Sequence, residues 1–199
     1  MKPAPFAAAL IGLTALTGCV APIGPVEVTR FHEPSADNLL FERGTIAVEA
    51  APGANPDSLE FRSFQMAVAR QLTALGFREA TTGDSAQVAL VRVERTSFRP
   101  GRDGGPVSVG VGGSTGSYGS GVGMGIGIDL SGPPPEQVTT ELWVQIRNRA
   151  SGSAVWEGRA RFTVRSDSPL AGTQLGAPKL AEALFRNFPG VSGQTVEVK

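Results

Sequence analysis

Between Pro106 and Leu130 apolar side chains alternate with glycine or serine, a period of two that suits an extended strand. Val107, Val109 and Val111 form one row, and Val122, Met124, Ile126, Ile128 and Leu130 form a second. A Gly/Ser-rich tip over Gly113–Gly121, with Tyr118 inside it, separates the rows, so the pattern predicts a β-hairpin within residues 101–132. Half of the 26 glycines fall in that stretch. A glycine within a strand costs about 0.5–1 kcal/mol relative to alanine, so such a hairpin needs close packing on its bare face or is only partly ordered. Three readings stand at this point. The valine and isoleucine rows cover the domain's own sheet; or they form an interaction arm that pairs with a partner protein or a second copy; or they enter a membrane. A spanning strand needs about 9–11 residues, and Val107–Gly112 falls short of that.

The N-terminus has a different constraint. Lys2 precedes an apolar run from Phe6 to Leu16, and Leu16-Thr17-Gly18-Cys19 follows. A positive start, a short apolar core and small residues before a cut site are the parts of an export signal. The run is too short for a spanning helix, which takes about 20 apolar residues. Leu16–Cys19 resembles the bacterial lipobox, whose cysteine is acylated, palmitate included, after cleavage between Gly18 and Cys19. Cys19 is the only cysteine, so the mature chain would hold no disulfide and no thiolate metal site. Valine rather than aspartate at position 20 points to the outer membrane, with the domain facing the periplasm. The expected organisation is a signal peptide over 1–18, a lipidated tether over 19–25 and one domain over 26–199.

Within that domain the pattern predicts an α+β fold: two layers, a mainly antiparallel sheet, two helices and the Gly-rich hairpin arm. Val26–Phe31 and Gly44–Ala50 read as strands. A helix follows, with Asn55 as cap, Pro56 in its first turn and an apolar stripe of Phe61, Phe64, Val68, Leu72 and Leu75 ending at Gly76. Strands resume over Phe77–Thr81 and Gln87–Arg95, the latter apolar on both faces as a central strand would be. Thr139–Arg147 and a strand carrying Trp156, Ala160, Phe162 and Val164 form a hairpin about Ala150–Ser153. A second helix spans Pro178 to Asn187, and Gln194–Val198 adds an edge strand. Trp143 and Trp156 read as core or helix-covering residues, against the alternative of a sugar or lipid platform.

Chemistry is scarce. Lys plus Arg and Asp plus Glu both number 18, which lacks the basic footprint of a nucleic-acid binder. Gly112-Gly113-Ser114-Thr115-Gly116 matches the serine nucleophile pattern G-x-S-x-G, yet such a match is expected by chance among so many glycines, and the single histidine, His32, lies upstream. No Gly-Lys pair exists for a phosphate loop. Asp84, Asp103 and Asp129 lack calcium-loop spacing, so no metal or other cofactor is expected. Paired carboxylates stay open because their approach is a three-dimensional fact.

Leu16–Cys19, Gly44–Val48, Leu72–Phe77, the Gly-rich stretch, Thr140–Ile146, Val155–Ala160 and Ala183–Gly190, in that order, resemble a bacterial lipoprotein family known as domain of unknown function 4136. The resemblance spans residues 26–198 and implies an α+β envelope lipoprotein with no assigned activity. The expectation is a non-enzymatic binding or scaffolding protein, held to the membrane by lipid on Cys19, with an envelope protein or a second copy as partner. Two alternatives are a carrier of a small apolar ligand, in a pocket between helices and sheet, and a carboxylate-based cell-wall hydrolase.

Overall fold

The computed structural model describes residues 24–33, 43–101 and 134–199 in full, and the backbone alone of 107–116 and 119–128. Gly18, Cys19, the tether, Tyr118 and the side chains of Val107, Val109, Val111, Val122, Met124, Ile126 and Ile128 lie outside the described residues.

In chain order the elements are β1 (Val26–His32), β2 (Thr45–Ala50), α1 (Leu59–Ala74), β3 (Arg78–Glu79), β4 (Gln87–Phe98), β5 (Val107–Gly116), β6 (Gly119–Ile128), β7 (Gln137–Asn148) and β8 (Ala154–Arg165). A 3-10 turn at Pro169–Ala171, α2 (Thr173–Phe185) and β9 (Thr195–Val198) complete the order. Seven strands form one sheet in the order β3-β2-β4-β7-β8-β1-β9, and the backbones of β5 and β6 pair as a separate two-stranded ribbon. The main sheet is mixed. β2 runs parallel to β3 and β4 because the chain returns to the sheet through α1, whereas the remaining pairs are antiparallel.

Alternation along the strands builds the core. Leu142, Val144 and Ile146 on β7, Trp156, Ala160, Phe162 and Val164 on β8, and Val26 and Val28 on β1 are buried on one face. Both helices pack beside each other over that face, sharing one apolar cluster with it. Phe61, Phe64, Ala67, Val68 and Leu72 come from α1, and Ala177, Leu180, Ala181 and Leu184 from α2. Each large apolar side chain withdrawn from water contributes about 1.5–3 kcal/mol before conformational entropy is counted. The fold is thus the two-layer α+β domain read from the sequence.

Several boundaries differ from the sequence reading. The cap of α1 is Ser58, whose Oγ accepts from the Phe61 amide at 3.0 Å. Asn55 instead closes a turn, accepting from the Asp57 amide at 3.0 Å, so Pro56 and Asp57 precede the helix. Gly76 takes φ +97°, and the Phe77 amide reaches the Leu72 carbonyl at 3.1 Å, folding Phe77 into the core. The strand after it is only two residues long, because a turn at Thr81–Asp84, tied by Thr81 to Asp84, draws the chain off the sheet edge. α2 begins five residues before Pro178, at Thr173, directly after the 3-10 turn capped by Ser168. Pro178 therefore lies inside the helix, where its missing N–H deprives the Gln174 carbonyl of its usual partner.

Arg30 closes the other end of α2. Its side chain projects from β1 into the helix layer, 5% exposed, and donates to the carbonyls of Leu184 at 2.8 Å, Ala183 at 2.9 Å and Arg186 at 2.9 Å. These are the acceptors that a helix C-terminus leaves without intrahelical donors. A cation there also matches the negative end of the helix dipole, although burial draws the Arg30 pKa down. Beside it Trp156 stacks on Phe185 at 5.4 Å, meets Phe188 at 5.2 Å, and donates from Nε1 to the Pro189 carbonyl at 3.0 Å.

Candidate functional site

Among the described residues no helix covers the other face of the sheet. The residues that alternate with the core rows point there, and strand register sets them in lines that cross the sheet. One line is Glu197–Glu27–Arg161–Glu141–Glu94. The next is Thr195–Thr29–Arg159–Trp143–Arg92, and the third is Phe31–Glu157–Gln145–Leu90–Glu49. A fourth, Thr163–Thr139–Thr96, lies on the far side of the acidic line. Acidic, basic-aromatic and mixed lines thus run side by side across the central strands.

Trp143 is the centre of this face and corrects its sequence reading. It is neither core nor helix cover, because odd-numbered positions of β7 point away from Leu142 and Val144. Half-buried, it donates from Nε1 to Glu157 Oε1 at 3.0 Å, and the Arg92 guanidinium lies 4.9 Å from its ring centre. Glu157 also accepts from Gln145 at 3.1 Å and Arg159 at 3.1 Å, and Arg147 bonds Gln145. Burial pushes the Glu157 carboxylate up, but the hydrogen bonds from Trp143, Arg159 and Gln145, with the Arg159 charge, together outweigh it and hold its pKa below the usual value. The ring is therefore held in place by charge and hydrogen bonds from three strands. An aromatic surface fixed in this way costs little entropy when a partner covers it.

A small cavity of about 220 Å³ on this face is lined by Glu27, Thr29, Glu141, Arg159, Arg161 and Thr195. It brings two carboxylates together, the arrangement the sequence left open for hydrolysis. Arg161 stands between them in register and donates to Glu27 at 2.6 Å. Arg161 thereby joins the pair into the charged line that crosses the sheet. Asp84 bonds Thr81 in a surface turn, and His32 Nε2 lies 3.2 Å from the Gly190 carbonyl, a structural contact between β1 and the loop before β9. Among the described residues no group of three or more His, Cys, Asp or Glu can hold a metal ion. Nor is any described helix long and apolar enough to cross a membrane. Between the two helices and the central strands, Phe64, Leu72, Trp156, Leu180 and Leu184 are fully buried.

At the β3 end a second concavity, a groove of about 1020 Å³, separates α1 from the edge of β2. Gln65, Met66, Ala69, Arg70 and Thr73 form its helix wall, Ala47 and Val48 its strand wall, and Glu79–Thr82 its end.

The family described as domain of unknown function, DUF4136, matches residues 41–190 of this fold. The chain belongs to that family. The groove and the Trp143 network lie within the DUF4136 match, whereas half of the residues lining the small cavity, on β1 and β9, lie beyond it. An uncharacterized protein of Zymomonas mobilis is 27% identical to this DUF4136 chain over 217 residues, covering 88% of this chain and 80% of its own length. Among solved structures, a PDZ domain protein from Parabacteroides distasonis is similar at TM-score 0.48 and 10% identity over 88% of this chain. This chain spans only 39% of that protein's length. A PelC dodecamer from Paraburkholderia phytofirmans gives TM-score 0.42 at 16% identity, covering 78% of this chain and 91% of its own.

Sequence reasoning missed Arg92, Glu157 and Arg159 as a group. Their signal was present as the polar positions between core residues of β4, β7 and β8. Register, which brings them together, is set by pairing over long sequence separations and is invisible in any one strand.

Proposed function

We propose that this chain is a non-enzymatic envelope lipoprotein that binds or scaffolds other envelope proteins. Export, cleavage between Gly18 and Cys19 and acylation of Cys19 would tether it to the outer membrane, with the domain in the periplasm. The N-terminal sequence Leu16–Cys19 followed by Val20 supports that address. The observation that supports the binding role is the sheet face that no described helix covers, on which Trp143, with Arg92 against its ring, stands in register between Arg92 and Arg159. Its lines of opposite charge suit a protein surface of complementary pattern, which gives specificity more than bulk affinity. The Gly-rich hairpin would extend the same contact, since the segment that carries it leaves and rejoins the sheet at the paired residues Phe98 and Gln137.

Two experiments test the two halves. For the anchor, Cys19→Ser should abolish incorporation of labelled palmitate and release the protein from washed membranes; unchanged membrane retention would refute it. For the partner, a photo-crosslinking residue at Arg159 or Ser117 should give the same discrete adduct in cells, whereas one at the exposed Gln174 on the helix layer gives none. No adduct from Arg159 would remove the role assigned to the face.

A further inference from the structure

The groove beside α1 lies at the edge of the sheet, apart from the Trp143 face, and is built on a strand that is only half paired. Residue 51 of the chain donates to β4, through the Ala51 amide to the Val91 carbonyl at 2.9 Å. Even-numbered residues of β2 face the opposite way. The Gly44 carbonyl accepts from Arg78 at 3.1 Å and the Ile46 carbonyl from Ala80 at 3.0 Å. There the ladder stops, because the Thr81–Asp84 turn takes the chain away. Among the described residues no strand lies beside Ala47–Ala50 on that side, an edge about 13 Å long at a strand's rise per residue.

One group already occupies the place of a missing strand. Gln65 on α1 donates from Nε2 to the Val48 carbonyl at 2.7 Å. A side-chain amide is thus bonded where the next N–H of a neighbouring strand would bond. Exposed strand edges are templates for pairing, and proteins that keep such an edge monomeric cover or block it. Among the described residues the edge is roofed by a helix but not filled. The roof offers Met66, more than half exposed, and the small residues Ala69 and Thr73. Backbone donors and acceptors on one wall with small and apolar side chains on the other are the two halves of strand-addition recognition.

We infer that this groove takes an extended polypeptide segment of a partner protein, which continues the β3 position alongside Val48 and Ala50. Only a polypeptide backbone supplies alternating N–H and C=O groups at the spacing of β2, and the same edge already accepts one two residues earlier as β3. Alternate residues of the segment face α1 and need to be apolar or small to fit against Met66, Ala69 and Thr73; those between them face solvent. A lipid chain would leave the edge groups unmatched. A segment of this chain, or a second copy, would fill the edge without any partner.

A phage-displayed library of random decapeptides, selected on the full chain in detergent micelles, tests this, with the enriched peptide synthesised as the probe. Binding should fall at least tenfold with Ala69→Arg, which fills the groove, and with Met66→Glu at its exposed rim. It should be unchanged with Arg159→Glu on the other face of the sheet, so failure here is distinguishable from failure of the face's proposed role. Amide hydrogen exchange at Val48 and Ala50 should be fast without peptide and slow by tenfold or more with it. Failure to enrich any peptide, binding indifferent to Ala69→Arg, or amides already protected in the unbound chain would each overturn the proposal, the last by revealing an occupant from the chain itself or a second copy.

Discussion

Replacing Arg30 with methionine probes the most concentrated set of polar contacts in the core. The guanidinium makes three hydrogen bonds, of 2.8, 2.9 and 2.9 Å, to the last carbonyls of α2. Hydrogen bonds to a charged donor contribute about 1.5–3 kcal/mol each, but three on one group do not add. Removing the guanidinium leaves these carbonyls buried without their donor, at roughly 1–3 kcal/mol for each one left unmatched. Methionine fills much of the same volume, so the loss is one of polar satisfaction rather than packing. Arg30→Met is therefore expected to cost about 3–5 kcal/mol. For a chain of this length each kcal/mol moves Tm by about 2–4 °C, so a fall of about 6–20 °C is expected. Urea titration followed by circular dichroism measures the loss, with the slope unchanged if only stability has moved. Arg30→Lys keeps the charge but not the fork of donors and should lie between the two. A loss below about 1 kcal/mol for Arg30→Met would refute the assignment of Arg30 as the cap of α2.

A Cβ at Gly158 would run into the Trp156 ring and meet Leu184 at 2.8 Å, so Gly158→Ala should cost about 1–3 kcal/mol by overpacking, read from the same titration. Ser58→Ala removes the acceptor of the Phe61 amide and should cost about 1 kcal/mol, whereas Asn55→Ala, outside the helix, should cost less. Glu157 has a folded pKa below the ordinary 4.5, so its contribution to stability is present above that value and lost as pH falls through the lower folded pKa. The stability difference between the wild type and Glu157→Gln should accordingly shrink as urea midpoints are measured from about pH 5 down to about pH 3. A difference that stays constant over that window would show that the network does not act through the charge.

What was legible in the sequence was local. The stripe from Phe61 to Leu72 fixed the face of α1, and Gly76 marked its end by a backbone conformation that few other residues adopt. Alternation over Leu142–Ile146 marked the buried face of β7, and the apolar run over Val88–Val91 marked its central neighbour β4. Pro178 misled because proline favours a helix's first turn, while Gly172 and the preceding turn had already started the helix. Arg30 looked like one more polar position in a strand, since its partners lie more than 150 residues away. Trp143 was read as packing because aromatic residues in strands usually do so; Arg92 and Glu157 gave it another environment through register alone. The groove beside β2 rests on an absence, a strand two residues long, which no pattern of apolar residues announces.

The first described strand is held along both sides, to β8 and to β9, and pinned through its own side chain to the end of α2. A pull along the chain at Val26 would act parallel to both ladders, so the bonds on either side would have to shear together instead of opening one by one. Forced unfolding is governed by the rate of that first rupture. Whatever load enters from the amino end meets the domain at a strand bonded along both sides, and the latch at Arg30 carries that load on to the final helix.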